Sequence, residues 1–335
     1  PHYYENPGSA AIPNFTQRTG YLDPFADIIC CTATAPTFGD MDADGDKDLF
    51  LGWSSGYIYY FENNPAVIPG GDFTEMHEAD NPLFGFDVGS KSAPTFVDID
   101  ADGDLDAFSG KNQGGFNYFK NTGSVDSPLF VDRTGGLNPL DGKNVGGYGY
   151  SKPVFADIDN DGDFDLFAGE YYGLVIHFEN TGSAASPAFV KQTGGLNPLD
   201  GVLVGYGVYS APSFADIDAD GDLDFFMGQH SGRVSYYENT GSAASPVFVA
   251  RTGVDNPLDG FDAGGYSTPI FADVDGDGDL DYICFTDFRR MDFHRNDGGK
   301  FSVAWIKGWV DYSLNPLRQL HVTRWPAADM DLGGK

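Results

Sequence analysis

Basic residues are scarce in this chain. Its 335 residues hold 19 Lys and Arg against 50 Asp and Glu, for a net charge of −31 at pH 7. A polyanion of that strength does not neutralise phosphates, and no cluster of Lys or Arg interrupts it, so nucleic-acid partners are excluded. Long apolar runs are also missing: no stretch of about 18 apolar residues occurs, and direct membrane insertion as a helix is not expected. Cysteine is limited to three residues, too few for a disulfide framework. Cys30 and Cys31 are adjacent, which leaves open a vicinal disulfide or an intermolecular link, while Cys284 reads as a buried apolar residue. No G-x-S-x-G, H-E-x-x-H or P-loop string is present, and the six histidines form no recurring arrangement with Ser or Cys, so the chain reads as a non-enzyme. It begins with Pro1, which suggests a processed or partial form with any signal peptide outside it. Asn14-Phe15-Thr16 is an N-glycosylation sequon, making Asn14 a candidate acceptor.

What the chain has in abundance is one acidic string. D-x-D-x-D-G-D-x-D begins at Asp40, Asp98, Asp157, Asp216 and Asp273, at intervals of 58, 59, 59 and 57 residues. The five copies hold 25 of the 50 acidic residues, so the charge is concentrated in loops rather than spread over a surface. A near-constant period of this length marks an array of one supersecondary unit.

Each period reads as four short strands. In the second unit an apolar run, Ser92–Ile99, enters the acidic loop; Leu105–Gly110 alternates and breaks at glycine; Gly115–Phe119 is aromatic-rich and leads to Asn121-Thr122-Gly123; Leu129–Arg133 closes at Gly135-Gly136. Four strands in about 59 residues, with no 3.6-residue periodicity between them, describe a propeller blade. The fold class expected is therefore all-β, a single propeller over residues 1–335 with full blades near 33–78, 91–136, 150–195, 209–253 and 267–310. In the fifth unit the glycine after Phe285 is missing, and Thr286-Asp287 stands there. The ends look like parts of one further blade: His2–Asn6 matches a third strand, Asn14–Gly20 a fourth, and Ala328–Asp331 a first strand entering a loop. Joining them predicts six blades, the sixth split between 1–20 and 318–335, with seven as the alternative.

The loop chemistry points to calcium, a hard cation that takes six to eight oxygens. Positions one, three and five supply side-chain oxygens, position seven its carbonyl, and position nine a carboxylate read as bidentate; position six is the glycine that permits the turn. The five sets are Asp40, Asp42, Asp44, Asp46 and Asp48; Asp98, Asp100, Asp102, Asp104 and Asp106; Asp157, Asp159, Asp161, Asp163 and Asp165; Asp216, Asp218, Asp220, Asp222 and Asp224; and Asp273, Asp275, Asp277, Asp279 and Asp281. About five Ca²⁺ are expected, one per loop. An EF-hand would need Glu at position twelve and flanking helices, and neither is present. A sixth loop, Asp329–Lys335, lacks the position-five carboxylate and is expected to bind weakly or not at all.

With Phe-x-Gly after the loop and a Ser-Ala-Pro-like triplet before it, the unit resembles the FG-GAP/VCBS repeats of integrin α-subunit propellers. The resemblance implies an extracellular, secreted or cell-surface calcium-stabilised propeller used in adhesion, carbohydrate binding or surface assembly. It also implies that the calcium hairpins occupy one face and the two-to-three turns and four-to-one loops the other. On that second face stand Trp53, Tyr148, Tyr150, Tyr171, Tyr172, Tyr206, Tyr209, His230 and Tyr266, rings that suit a glycan or protein partner. The leading function is a structural or adhesive interaction module. A calcium-dependent lectin is the alternative, a polysaccharide-active enzyme comes last, and an unfinished sixth blade suggests self-assembly into filaments by strand addition.

Overall fold

The computed structural model describes residues 2–285 apart from 7–8, 11–12, 14, 19–22, 26–27, 29–34, 65–72, 147–148, 203–209 and 275–277. Twenty strands follow in chain order. β1 (His2–Glu5) and β2 (Thr16–Arg18) come first. Three complete units then repeat the same lengths: β3 (Ala35–Gly39), β4 (Asp48–Gly52), β5 (Ile58–Asn63) and β6 (Phe73–Met76); β7 (Ala93–Val97), β8 (Asp106–Gly110), β9 (Phe116–Asn121) and β10 (Phe130–Arg133); β11 (Lys152–Ala156), β12 (Asp165–Gly169), β13 (Val175–Asn180) and β14 (Phe189–Gln192). A fourth comprises β15 (Ala211–Ala215), β16 (Asp224–Gly228), β17 (Val234–Asn239) and β18 (Phe248–Arg251), and β19 (Thr268–Ala272) and β20 (Asp281–Phe285) end the series.

The strands form five antiparallel four-stranded sheets, and the fold is a five-bladed propeller rather than one of six or seven blades. The fifth sheet has the order β19-β20-β1-β2, so the N-terminal strands supply its third and fourth members. The role assigned to His2–Asn6 is thus correct and its partner is not. Tyr3 and Asn6 need a buried position-nine aspartate, and Asp281 is the one they meet: Tyr3 Oη donates to Oδ2 at 2.8 Å and the Asn6 amide to Oδ1 at 2.7 Å. The expected continuation of the fifth blade over 286–310 and the 318–335 half of the sixth lie outside the described residues. Register also places Phe285 itself, paired with Thr268, where the other second strands carry glycine.

The innermost strands β3, β7, β11, β15 and β19 adjoin one another in a closed ring around a central channel. Each carries proline second, at Pro36, Pro94, Pro153, Pro212 and Pro269, and these line the channel. An edge strand can accommodate a residue without an amide donor. The second strands are buried along their whole length. The core accordingly divides into five clusters, each spanning two neighbouring blades; Tyr3 and Phe25 join Leu49, Leu51, Ile283 and Phe285 in the one that closes the ring.

Neighbouring blades are stapled through a serine and a glycine. Ser210 Oγ accepts the Glu170 amide at 2.8 Å and donates to the Leu174 carbonyl at 2.8 Å, fastening the two-to-three turn of the preceding blade. Ser92, Ser151 and Ser267 make the same pair of bonds. The backbone approaches so closely that a Cβ on Gly52, Gly110, Gly169 or Gly228 would overlap the carbonyl oxygen of that serine. This is why the strand ends Phe-x-Gly. Gly169→Ala is expected to destabilise the fold by about 1–3 kcal/mol in urea unfolding, whereas Gly136→Ala, with open space around it, serves as the neutral control.

Candidate metal centre and ligand face

The acidic loops connect first to second strands, and their backbone is set by two left-handed residues. Position four is Ala43, Ala101, Asn160 or Ala219, with φ from 56° to 60°, and position six is Gly45, Gly103, Gly162, Gly221 or Gly278, with φ from 93° to 100°. The position-one carboxylate fixes the turn: Asp98 accepts the amides of Asp102 at 3.1 Å and Gly103 at 3.0 Å, and Asp157 and Asp216 do the same in their loops. Positions one, three and five are thereby gathered. In Asp40/Asp42/Asp44, Asp98/Asp100/Asp102, Asp157/Asp159/Asp161 and Asp216/Asp218/Asp220, each residue offers an oxygen within 4.8 Å of the other two. In the fifth loop Asp273 accepts the Gly278 amide at 3.0 Å, while Asp275 and Asp277 lie outside the described residues, as does the 329–335 loop.

Position seven offers more than the carbonyl expected of it. The Oδ1 atoms of Asp46, Asp104, Asp163 and Asp222 are buried and have no hydrogen-bond partner, and those of Asp40 and Asp100 share this condition. Burial, then the neighbouring carboxylates, push the carboxyls of Asp46 and Asp163 up to about 6. A buried acceptor left unsatisfied is costly, and an all-oxygen donor set of this kind matches what a hard divalent cation requires. Several of these loops can therefore hold a metal ion.

Position nine ties the loop to the third strand. Asp48 Oδ2 accepts the Met41 amide at 3.0 Å and Tyr60 Oη at 3.1 Å, and its Oδ1 accepts the Asn63 amide at 2.9 Å. Tyr118 and Asn121 hold Asp106, and Tyr236 and Asn239 hold Asp224, in the same way. In the third blade His177 replaces the tyrosine, its Nε2 at 3.4 Å from Asp165 Oδ2 and its ring stacked on Phe167 at 4.3 Å. His177 is thus a buried strand residue, as its alternation with aromatics suggests. Sequence reasoning missed the tyrosine, although Tyr-x-x-Asn at Tyr60, Tyr118, Tyr236 and Tyr3 was there to be read.

Compared with known families, residues 40–109 and 216–284 match the FG-GAP-like repeat model. Those two stretches are similar to FG-GAP-like repeats. No curated protein matches its sequence. Among solved structures it is similar to a chain of an Agrocybe aegerita lectin described as recognising non-reducing terminal N-acetylglucosamine, at 18% identity and a TM-score of 0.43, over 81% of this chain and 66% of that one, just under two thirds.

Opposite the acidic loops, the predicted ligand-face residues fall into separate groups. Tyr150 and Tyr171 stand 5.6 Å apart, Tyr171 meets Tyr172 edge-on at 5.3 Å, and Lys91 Nζ lies 3.7 Å over the Tyr150 ring. At the junction between the fourth and fifth blades, His230 and Tyr266 pack at 4.2 Å. Trp53 packs against Tyr59 at 4.8 Å. Lys91, Tyr150 and Tyr266 immediately precede the stapling serines and have φ of 62°, 62° and 46°, a region that side-chain-bearing residues rarely adopt. Tyr148, Tyr206, Tyr209, Asn14, Cys30 and Cys31 lie outside the described residues; Cys284 is buried with a free thiol. Lys91 was not anticipated, and its signal was its place one residue before Ser92.

Three of the position-nine carboxyls are shifted upward. Burial, opposed by their hydrogen bonds, pushes Asp48, Asp106 and Asp224 up to about 7. A raised carboxyl keeps its proton in the folded chain after the unfolded chain has released it, so stability is full below about pH 4 and falls as pH rises through about 7. In EDTA the melting temperature should therefore be higher at pH 4.5 than at pH 8, measured by circular dichroism.

Proposed function

We propose that this chain is an extracellular calcium-stabilised propeller that acts as a structural and adhesive interaction module. The observation carrying this reading is the set of buried, unpartnered Oδ1 atoms on Asp46, Asp104, Asp163 and Asp222 beside the gathered carboxylates of their loops. Ca²⁺ suits oxygen-only sites on tight turns, with dissociation constants around 10⁻⁴–10⁻³ M in extracellular modules, a range that keeps such sites filled outside cells. About five ions, one per intact loop, would offset part of the charge of −31. Among the described residues no helix is long and apolar enough to cross a membrane, a finding that leaves strand-built spans untouched.

A partner would dock on the face away from the loops. The Tyr150, Tyr171 and Tyr172 group favours a second reading, a lectin, because clustered rings beside a cation and exposed polar groups suit the apolar and hydroxyl faces of a sugar. Tyr172 is exposed. Filament formation through a sixth blade loses its motive, since β1 and β2 are already paired within the fifth sheet.

Two measurements test these readings. Calcium at a hundredfold excess over Kd should stabilise the fold by about 2.7 kcal/mol per site relative to EDTA; a melting curve indifferent to EDTA refutes the calcium role. On a glycan array in saturating calcium, Tyr171→Ala should lose the wild-type signal with its melting temperature unchanged, and an array blank for the wild type refutes the lectin reading.

A further inference from the structure

The residue before the closing asparagine of the third strand is Glu5, Glu62, Glu179 and Glu238 in four sheets, and Lys120 in the second. In two of those sheets the glutamate is held by arginine from the fourth strand. Arg251 donates to Glu238 at 2.7 and 3.1 Å, and Arg18 to Glu5 at 2.5 and 2.8 Å. The second blade retains the arginine: Arg133 pairs with Tyr118 just as Arg251 pairs with Tyr236. With lysine in place of glutamate, the two cations have no reason to meet. Lys120 turns instead to the acidic loop of its own blade, where Nζ donates to Asp100 Oδ2 and, at 3.1 Å, to Asp102 Oδ2. Those carboxylates occupy positions three and five, and Asp100 with Asp98 and Asp102 makes up the gathered set of that loop. The Lys120 side chain is about three-quarters buried, at 26% exposure.

We infer that Lys120 is a resident cation of the second loop, which therefore keeps its fold without metal and is the last of the intact loops to take Ca²⁺. The inference rests on the calcium reading for its second half only. A divalent ion entering among Asp98, Asp100 and Asp102 must share two carboxylates with an ammonium or expel it, and like charges a few ångströms apart repel strongly where solvent is partly excluded. Lysine is a compact charge on a flexible stem, so it can swing clear. The second loop is consequently a weak site, filled at high calcium, whereas the third loop, which has Glu179 in the corresponding place, fills before it.

Calorimetric calcium titration of the full chain tests this, using the metal alone. Lys120→Glu, which restores the residue of the other sheets, should raise the affinity of the weakest site at least about tenfold; an isotherm identical to wild type overturns the inference. In the wild-type background Asp102→Asn should leave the number of tighter sites unchanged while Asp161→Asn removes one, and loss of a tight site with Asp102→Asn overturns it as well. In EDTA, Lys120→Met should lower the melting temperature, because Asp100 and Asp102 lose their counter-ion; a melt equal to wild type shows that no resident cation was there. If the wild type takes up no calcium at all, the calcium reading fails, and the EDTA comparison still judges Lys120.

Discussion

A buried carboxylate at the end of each acidic loop is the contact on which the rest of the structure depends. It opens the second strand, accepts the phenol and the amide of the third strand from below, and limits how far the loop can move above. Burying a carboxylate is unfavourable unless it is well hydrogen-bonded, and removing a donor would leave a charge stranded in the core. The sequence must therefore supply Asp and Asn fifteen residues apart, from Asp48 to Asn63 and likewise in the other continuous units, with Tyr, or His177 in the third, three residues before the Asn. That coupling also explains the stacked pairs Phe50–Tyr60, Phe108–Tyr118 and Phe226–Tyr236: the aromatic ring that delivers the hydroxyl has to lie flat against the second strand to reach its acceptor.

The two ends of each second strand consequently do opposite jobs. At the loop end the chain accumulates negative charge that only a cation relieves. At the far end a glycine lets the next blade's serine carbonyl approach, and the serine hydroxyl then fastens the two-to-three turn. Residues that present their rings on that face, Tyr150 and Tyr266 among them, stand directly before the stapling serines and inherit a left-handed backbone from the tight junction. Strain of this kind persists only where the surroundings impose it, and here the staple imposes it. The rings are aimed by the joint between blades.

Much of this was legible in the sequence. The period of the acidic string gave the unit, the alternation gave the strands, and the Asn-Thr-Gly turn and Phe-x-Gly end located their limits within a residue or two. What strand patterns do not encode is which copy of an acceptor a donor will find. Tyr3 and Asn6 fit any position-nine aspartate, and spacing alone allowed them a place in a sixth blade. A decisive signal existed: Asn296 stands 23 residues beyond Asp273, where a third strand of the fifth unit would end, but the residue three before it is Phe293, which has no hydroxyl to give Asp281. Tyr3 has one. The position-seven side chain escaped notice for a different reason, since a carbonyl sufficed for the motif and nothing in one dimension says which way a carboxylate turns. Lys120 escaped for the same reason, being a single charge reversal within a repeat.

The closure of the ring gives the fifth loop a weight the other four lack. In blades one to four the position-nine aspartate joins strands that are consecutive in the chain, so loosening it opens one hairpin. Asp281 joins residues 275 and 278 positions away, and the cluster containing Tyr3, Phe25, Leu49 and Ile283 lies across the same seam. Opening that contact releases β1 and β2 and leaves β20 as an unpaired sheet edge beside the first blade. The entropy of closing so long a loop grows only slowly with its length, so two hydrogen bonds backed by a shared apolar cluster are enough to hold it. The acidic face and the closure of the propeller thus meet at one carboxylate, and the state of the fifth loop bears on the whole ring.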